Sequence, residues 1–358
     1  MESGKEVGIA IVGTGLIGPR HARSVSGCPG SRLVCLVDPR AEAQAVADEF
    51  QVPLYSSVED MLQHSERPDA AIVCTPNHTH VSISIALLKA GLHVLVEKPI
   101  STDVASGREL LQVANESGKH LLVGHHRRFN PYVLAAKRSL PSIGRPIAVS
   151  GHWVTFKPPS YFEAPFSWRA SAEQGGGPIL INLIHDVDIL QYLLGPIVRV
   201  HAEKSITQRE GHAVEEGAAI LLRFASGVVG TFILSDALPS THTFESATGE
   251  NPMIAQHVGT DFYRIFGSEG TLSVGDMKLE RYSGEKSWSH QMTVEDVQVG
   301  DEVPFDQQVR NLVAVVRGSE RAMCTGEDGL SALLVCDVVK RAMEIGQAVE
   351  IEPDSGIK

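Results

Sequence analysis

A short apolar run that opens into three closely spaced glycines is the feature that most constrains this chain. Residues 7–12 read VGIAIV, and GTGLIG follows directly. Glycines at these spacings permit a tight turn, close approach of backbone to a pyrophosphate, and close packing of the next helix against the strand. The first N–H groups of that helix can bind phosphate oxygens. The pattern predicts a dinucleotide-binding turn. Its expected contacts are Gly13, Thr14, Gly15, Leu16, Ile17 and Gly18.

An acidic residue at the end of the next apolar run supports this interpretation. Asp38 ends the run RLVCLVD, twenty residues beyond Gly18. A carboxylate there can accept a hydrogen bond from a free ribose 2′-hydroxyl and repels a 2′-phosphate. Arg40 lies two residues further on and could partly accommodate a phosphate. The sequence therefore predicts NAD as the cofactor, with NADP as the alternative. A glycine-rich turn without a ligand is the competing structural interpretation.

The first third of the chain alternates between short apolar segments and helical patterns. Because the apolar segments lack a polar face, they are typical of parallel strands covered by helices on both sides. They predict an N-terminal Rossmann doubly wound parallel sheet over residues 1–124, with its ligand crevice at the carboxyl ends of the strands. The predicted strands are 7–12, 32–38, 69–75, 92–97 and 119–124, and the predicted helices are 16–28, 39–50, 78–90 and 103–117.

The pattern changes after about residue 125, where strand-like runs follow one another with turns between them. We predict that residues 125–358 form an α/β domain with a large open, mainly antiparallel sheet. Its strands carry apolar residues on both faces, so the open face is expected to form a subunit interface in a homodimer or homotetramer. The expected strands are 146–156, 197–207, 217–225, 228–235, 261–266 and 271–274, with helices at 178–194, 305–318 and 328–346 and a long loop at 239–260.

Charge and cysteine usage narrow the class of partner. The formal net charge is −12 and is spread without an acidic tail, which argues against nucleic acid or an anionic membrane as a partner. No apolar run reaches membrane-spanning length, and the N-terminus MESGKEVG lacks an apolar signal core. The five cysteines include no CxxC pair, which favours a reducing compartment. We therefore expect a cytoplasmic protein that acts on a small molecule.

Polar residues follow two of the predicted strands. Strand 92–97 runs into Glu97-Lys98-Pro99, and strand 69–75 runs into TPNHTH. Because both strands end at the edge that forms the crevice, these residues are candidate cofactor contacts. Lys98 could equally be a solvated lysine after a strand, and its bond to Pro99 could be cis. Asn77 would also suit the N-cap of the following helix. The candidates are Thr75, Pro76, Asn77, His80, Glu97 and Lys98.

A second informative segment reads GGGPILINLIHDVDILQYLLG over residues 175–195. Asn182, His185 and Asp188 interrupt the apolar run at intervals of three, which places them on one side of a helix. A buried polar stripe costs several kcal/mol unless its members are paired or used. It is therefore either a satisfied core network or a site that faces the nicotinamide. The three glycines before it would let backbone approach a ligand closely.

In their order along the chain these motifs resemble the Gfo/Idh/MocA oxidoreductases, the relatives of glucose–fructose oxidoreductase and inositol dehydrogenase. The resemblance covers most of the chain and includes GTGLIG (13–18), TPNHTH (75–80), EKP (97–99), GHHRRFNP (124–131), GGG…H..D (175–188) and FGSEGTL (266–272). It implies a Rossmann domain followed by an α/β domain whose open sheet often makes dimers or tetramers. It also implies that Lys98 is the catalytic lysine and His185 the catalytic histidine.

One position departs from the family's pattern. Many members carry an aspartate four residues before the catalytic histidine, and this chain has Ile181 there. Asn182 is the nearest polar residue, but it lies about 100° further round an ideal helix and cannot ionise. Asn182 or Asp188 would then orient His185, or Lys98 would carry more of the proton transfer.

The expected function is that of an NAD(P)-dependent dehydrogenase, which transfers a hydride between nicotinamide and a carbinol carbon of a sugar, cyclic polyol or related diol. Lys98 and His185 would exchange the hydroxyl proton. Two other functions are compatible with the fold: an NAD-dependent glycosidase and a non-catalytic dinucleotide-sensing regulator. The candidate substrate contacts are Lys98, Arg128, Trp168, Asn182 and His185.

No metal is expected. The pairs His78/His80 and His125/His126 are suggestive, but no cysteine cluster supports a metal site and hydride transfer needs none.

Overall fold

Six parallel strands in the order β3-β2-β1-β4-β5-β6 organise the first part of the chain. Every residue of the central strand β1 is buried, as expected where helices cover both faces of a sheet. The predicted doubly wound Rossmann sheet is therefore confirmed. Its strands are β1 (Val7–Val12), β2 (Ser31–Val37), β3 (Leu54–Tyr55), β4 (Ala70–Val73), β5 (His93–Val96) and β6 (Leu121–Val123).

Five helices lie between these strands or next to them. They are α1 (Gly18–Gly27), α2 (Ala43–Phe50), α3 (Val58–Gln63), α4 (His80–Lys89) and α5 (Val104–Ser117). The sequence patterns missed β3 and α3. Two residues of strand and six of helix are too short to show a hydrophobic period, so only pairing with β2 reveals the edge strand.

This computed structural model describes residues 6–63 and 66–352, and the chain divides into two compact units. The first unit extends to Asn130 and also includes Glu302–Leu333, whereas the second comprises Pro131–Asp301 and the chain from Leu334. Helix α9 (Pro304–Val316) thus belongs with the Rossmann sheet. Its Val309 and Leu312 lie in the same buried cluster as Ile9, Ile11 and Leu36, all fully buried.

The second unit contains a nine-stranded sheet in the order β14-β13-β12-β11-β7-β10-β9-β8-β15. Only β7 and β10 pair in parallel, so the prediction of a mainly antiparallel sheet is confirmed. The strands are β7 (Pro146–Val154), β8 (Ile197–Lys204), β9 (Gly217–Phe224), β10 (Val229–Ser235), β11 (Tyr263–Gly267), β12 (Gly270–Val274), β13 (Lys278–Arg281), β14 (Thr293–Asp296) and β15 (Val349–Glu350).

The helices of the second unit include one irregular segment. The predicted helix 178–194 is a π-helical turn at Ile179–Leu183 that continues as α7 (Ile184–Leu194). The remaining helices are α6 (Pro131–Ser139), α8 (Phe244–Thr248), which lies within the predicted loop 239–260, and α10 (Gly326–Ile345), which contributes residues to both units. Over residues 6–63 and 66–352, no helix is long and apolar enough to cross a membrane.

Candidate functional site

The three glycines of the turn after β1 differ in how much space surrounds them. A Cβ on Gly13, whose φ is 94°, would come 2.8 Å from the carbonyl of Cys74, and one on Gly18 would come 2.2 Å from the oxygen of Gly13. A Cβ on Gly15 would meet no atom within 4 Å. Leu16 beside it is 89 % exposed. The chain itself therefore requires two of the glycines, and the third leaves room for a phosphate group ahead of α1.

Asp38, just after β2, is hydrogen-bonded to this turn. Its Oδ2 accepts the backbone N–H and the hydroxyl of Thr14, both at 2.8 Å, and its carboxylate also binds Arg40. Burial favours a higher pKa, but the hydrogen bonds from Arg40 and Thr14 outweigh it and hold the pKa of Asp38 well below its usual range. An ionised acceptor thus lies beside the turn, and the residues fit the adenosine half of a dinucleotide.

The segment after β4 is tied to the segment after β5 by a buried histidine. The two ring nitrogens of His80 lie 2.8 Å from the carbonyl oxygens of Thr75 and Pro99. Burial is the main cause that lowers the pKa of His80. Asn77 begins the 3₁₀ turn Asn77–Thr79 and does not cap α4, which starts at His80 without a side-chain cap. His80 therefore shapes both loops through their backbones.

Glu97 and Lys98 stand at the carboxyl end of β5. The carboxylate of Glu97 is buried, with Oε1 2.7 Å from Nε2 of His21 and Oε2 3.2 Å from the backbone N–H of Lys98. Although burial alone would raise the pKa of Glu97, its hydrogen bond to His21 and the nearby positive groups lower it to about 2. Lys98 is half-buried, and its bond to Pro99 is cis. An ionised carboxylate thus fixes the backbone of the lysine.

Two of the candidate substrate residues have partners within their own units. The buried guanidinium of Arg128 donates to the carbonyl of Met323 at 2.7 Å and pairs with Asp328 at 3.1 Å. Trp168 lies half-buried in a 3₁₀ turn, with the Arg169 guanidinium 5.8 Å from its ring centroid. A substrate role for either residue stays a prediction.

The polar stripe of the second unit has a partner that the sequence patterns did not reveal. The Lys157 ammonium donates to Oδ1 of Asn182 at 2.7 Å and lies 3.5 Å from Oδ2 of Asp236. It also faces the rings of Tyr161 and Trp153, 4.5 and 5.1 Å from their centroids. Burial is the main reason that the pKa of Lys157 falls to about 8, although Asp236 favours the charged form. An ammonium only donates, so the amide oxygen of Asn182 is the atom beside Lys157.

His185 and Asp188 lie on α7, and both are buried. Asn182 lies in the π turn before α7, so the α-helical rotation of 100° per residue does not apply across the stripe. Between the two stripe residues on α7, the fully buried Asp186 accepts a hydrogen bond from the hydroxyl of Tyr263. Single turns of π-helix occur often at functional sites, which suits this segment.

Two of the three glycines before this segment lie close to other parts of the chain, whereas a Cβ on Gly175 would meet no atom within 4 Å. A Cβ on Gly176 would come 2.4 Å from the carbonyl oxygen of Arg169, and one on Gly177, whose φ is 89°, would come 2.5 Å from the carboxylate of Glu215. Gly177 also donates its N–H to Arg169. Gly176 therefore has no room for a side chain beside the Arg169 backbone, and Gly177 has none beside the Glu215 carboxylate. That these glycines let a ligand approach the backbone stays a prediction.

Sequence reasoning missed Lys157, Asp236 and His21. Lys157 had a usable signal, because it follows an apolar strand and precedes a proline, as Lys98 does. His21 lies one turn into α1 and had no signal beyond its position. Within the part of the chain that the structure describes, no group of three or more His, Cys, Asp or Glu residues could hold a metal ion.

Two family profiles match most of the chain. The profile described as "Oxidoreductase family, NAD-binding Rossmann fold" matches residues 7–125, and that described as "Oxidoreductase family, C-terminal alpha/beta domain" matches residues 140–351. Both carry the Gfo/Idh/MocA name. They correspond to the parallel sheet and to the nine-stranded sheet.

Individual proteins show the same similarity over their full lengths. Inositol 2-dehydrogenase of Rhizobium meliloti is 25 % identical, over 96 % of this chain and 99 % of its own. 1,5-Anhydro-D-fructose reductase of Ensifer adhaerens is 28 % identical, over 90 % and 92 %. The WlbA dehydrogenase of Chromobacterium violaceum, solved with NADH and UDP-GlcNAcA, is 23 % identical with a TM-score of 0.79 and 98 % coverage of both chains. At that identity the solved structure supports the fold.

Proposed function

Because this chain belongs to the Gfo/Idh/MocA family of NAD-binding oxidoreductases, we propose that it oxidises a carbinol carbon of a cyclic polyol, sugar or related diol. One observation carries the mechanism: Lys98 is fixed by the ionised Glu97 at the carboxyl end of β5. Glu97 in turn contacts α1, the helix that begins at the glycine turn. The backbone of Lys98 is thereby tied to the elements that would hold the dinucleotide.

The chain's own groups have distinct tasks in this reaction. Backbone N–H groups after Gly13 would bind the pyrophosphate, and Asp38 would accept the ribose 2′-hydroxyl. Bound nicotinamide supplies the hydride acceptor or donor. The Nζ atom of Lys98 takes the hydroxyl proton during oxidation and returns it during reduction, and its positive charge stabilises a developing alkoxide. His185 assists as a second acid or base, with Asn182 or Asp188 orienting its ring.

The substrate class is proposed from the relatives and from the polar groups of each unit. Inositol 2-dehydrogenase and 1,5-anhydro-D-fructose reductase both take polyhydroxylated rings, as their names state. We assign cofactor binding to the first predicted domain, 1–124, and substrate binding to the second, 125–358. Arg128, which groups with the first compact unit, and Trp168 are further candidate contacts. NAD is the proposed cofactor, and NADP remains the alternative because of Arg40.

The cellular compartment and the oligomeric state are also part of the proposal. All five cysteines are buried and form no disulfide in the part of the chain that the structure describes, which supports a reducing, cytoplasmic compartment. A homodimer or homotetramer is supported by exposed apolar residues on one face of the nine-stranded sheet, including Leu221 and Ile233.

A substrate screen tests the function. The protein is incubated with inositols, aldoses and cyclic diols plus NAD or NADP, and the absorbance of the reduced cofactor is followed. Sustained reduction with one of these classes supports the proposal. Substrate cleavage without net cofactor reduction would indicate the glycosidase alternative. Tight cofactor binding without turnover of any class would favour the regulator.

A further inference from the structure

A buried pair connects the helix after the glycine turn to the end of the strand that carries Lys98. His21 lies one turn into α1 and is fully buried, and its Nε2 is 2.7 Å from Oε1 of Glu97. The Glu97 carboxylate can only accept, so the imidazole nitrogen donates in either charge state of the ring. Helix α1 and strand β5 are thus joined by one charge-assisted hydrogen bond.

The Glu97 carboxylate is also contacted by the backbone of Lys98 and closely approached by Gly124. Its second oxygen accepts the backbone N–H of Lys98 at 3.2 Å. A Cβ on Gly124, which follows β6, would come 2.9 Å from the carboxylate carbon and Oε1, so β6 closes over the group. The groups that lower the pKa of Glu97 are His21 on α1, His126 after β6, and Lys98 itself. A rotation of the carboxylate would therefore break its hydrogen bonds to His21 and to the backbone of Lys98.

Helix α9 seals this pair from solvent. The Phe305 ring meets His21 edge-on at 5.1 Å between centroids and stacks on His126 at 4.4 Å. The Arg20 guanidinium lies 3.9 Å from the centroid of Phe305. Such packing restricts His21 to one orientation, with the nitrogen toward Glu97.

Stability alone is a weak explanation for this arrangement. Burying an ionised carboxylate and its partner carries a desolvation cost, and apolar pairs of similar size are often as stable or more so. A buried carboxylate–imidazole pair that ends on a candidate catalytic lysine is better explained by positioning.

We propose that His21 is a positioning residue for Lys98: by holding Glu97, it fixes the lysine backbone relative to the pyrophosphate-binding end of α1. This inference rests on the proposed role of Lys98. His21 touches neither the reacting atoms nor the cofactor in this scheme, and its effect passes through the carboxylate.

Three variants of the full-length protein test the link. His21→Leu removes the donor, and we expect kcat to fall about 10- to 100-fold with the NAD dissociation constant changed less than about threefold. His21→Gln keeps an N–H donor and should recover kcat to within about fivefold of wild type. In a cycle with Glu97→Gln, the double variant should lose little more than the worse single variant, because both act through one contact.

A matched control comes from the same helix. Ser24 is buried on α1 and donates to Asp306 at 2.6 Å, with no contact to Glu97 among its described hydrogen bonds. Ser24→Ala should lower the unfolding temperature and leave kcat within about twofold. Were His21→Leu to behave like Ser24→Ala, with additive losses in the cycle, His21 would be a packing residue and the inference would be overturned.

A second readout does not require the substrate. Trace labelling with acetic anhydride, followed by mass spectrometry of the peptide that contains Lys98, gives the pH midpoint of its amine. We expect His21→Leu to move that midpoint by about half a pH unit or more, and His21→Gln to leave it near wild type. An unchanged midpoint in His21→Leu would overturn the inference. If no substrate is found for the wild type, the proposed function fails while this measurement still decides the role of His21.

Discussion

The guanidinium of Arg40 spans both oxygens of the Asp38 carboxylate. Its Nε donates to Oδ1 at 2.8 Å and its Nη2 to Oδ2 at 2.6 Å, while Thr14 supplies two more donors to Oδ2. The backbone N–H of Arg40 is a fifth donor, 3.0 Å from Oδ1. A carboxylate offers about four acceptor positions, so these donors saturate it. A ribose 2′-hydroxyl can bind Asp38 only when a donor yields. The Arg40 side chain is 56 % exposed and is the one free to move.

This pair predicts the cofactor preference and its variants. The wild type should have the higher kcat/KM with NAD, because Asp38 repels a 2′-phosphate. Arg40→Ala should increase the NAD preference, by about tenfold, since it frees the carboxylate and removes the cation that could bind a phosphate. Steady-state kinetics with both cofactors at one ionic strength measure the ratio.

A substitution at Asp38, the other member of the pair, is the control for the predicted NAD preference. Asp38→Ser should narrow the preference, because the repulsive charge is lost. A wild-type kcat/KM that is equal or higher with NADP would contradict the assignment of Asp38.

Lys98 is expected to control turnover and not cofactor binding. Lys98→Ala should lower kcat by roughly 10²- to 10⁴-fold, the usual loss for a positioned acid or base. Lys98→Arg should also be poor, since a guanidinium holds its proton too firmly to act as a base. Binding of NADH, followed by the fluorescence of the reduced cofactor, should change little.

The exposed Lys89 at the end of α4 provides a matched lysine in the same unit. Lys89→Ala should leave kcat unchanged. Near-normal turnover of Lys98→Ala on the true substrate would remove the central claim of the proposed function.

The polar stripe formed by Asn182, His185 and Asp188 in the second unit is expected to contribute to turnover, mainly through His185. His185→Ala should lower kcat/KM by roughly 10²- to 10⁴-fold. Lys157 holds the Asn182 oxygen, so the Asn182 amide N–H group is the one left to orient a ring. Asn182→Ala should then lower the rate with little change in the pH–rate profile. If Asp188 is the partner instead, Asp188→Asn should shift the histidine limb to lower pH.

Wild-type kcat/KM in His185→Ala would show that the stripe is structural and that Lys98 acts without it. The three variants are compared on one substrate over the full pH range, so the two partners are separated by their profiles.

The lowered pKa of Lys157 predicts that the free energy of unfolding increases at alkaline pH. Its pKa is lowered from 10.5 to about 8, so between those values the unfolded chain holds a proton that the folded chain has lost. The folded state is therefore favoured as pH rises through this window, by up to about 3 kcal/mol from this group. Lys157→Met should remove that contribution, measured as the difference in unfolding temperature between variant and wild type across the window.

Lys204, an exposed lysine at the end of β8, supplies the comparison. Lys204→Met should track the wild type at every pH. An identical pH dependence in Lys157→Met and the wild type would mean that Lys157 titrates normally.

The exposed face of the nine-stranded sheet predicts self-association. Leu221 on β9 lies opposite Thr231 on β10, and Leu221 is 54 % exposed, with Val229 and Ile233 on the same face. Leu221→Glu should convert the oligomer to a smaller species, because a charge buried at an interface is costly. Light scattering at micromolar concentration reads the mass, and Glu344→Lys on the exposed side of α10 is the matched charge change. A wild-type monomer would contradict the prediction.

Much of the first unit could be read from the sequence because its determinants are local. The apolar strands, the glycines at 13, 15 and 18, and the acid at 38 each follow from backbone geometry or from a spacing along the chain. The edge strand β3 escaped because two residues have no period. The membership of α9 in the first unit also escaped, since Val309 joins the buried cluster of Ile9 and Ile11 from about 300 residues further along the sequence.

The sequence by itself determined the fold class, the dinucleotide turn, and Lys98 and His185 as candidate catalytic residues. Only the tertiary structure decided the partners of the charged groups: His21 for Glu97, Lys157 for Asn182, and Arg40 for the saturated Asp38. The physical reason is range. Secondary structure follows from steric and hydrophobic periods along the chain, whereas a buried charge is satisfied by whichever distant element the packed core brings within about 3 Å.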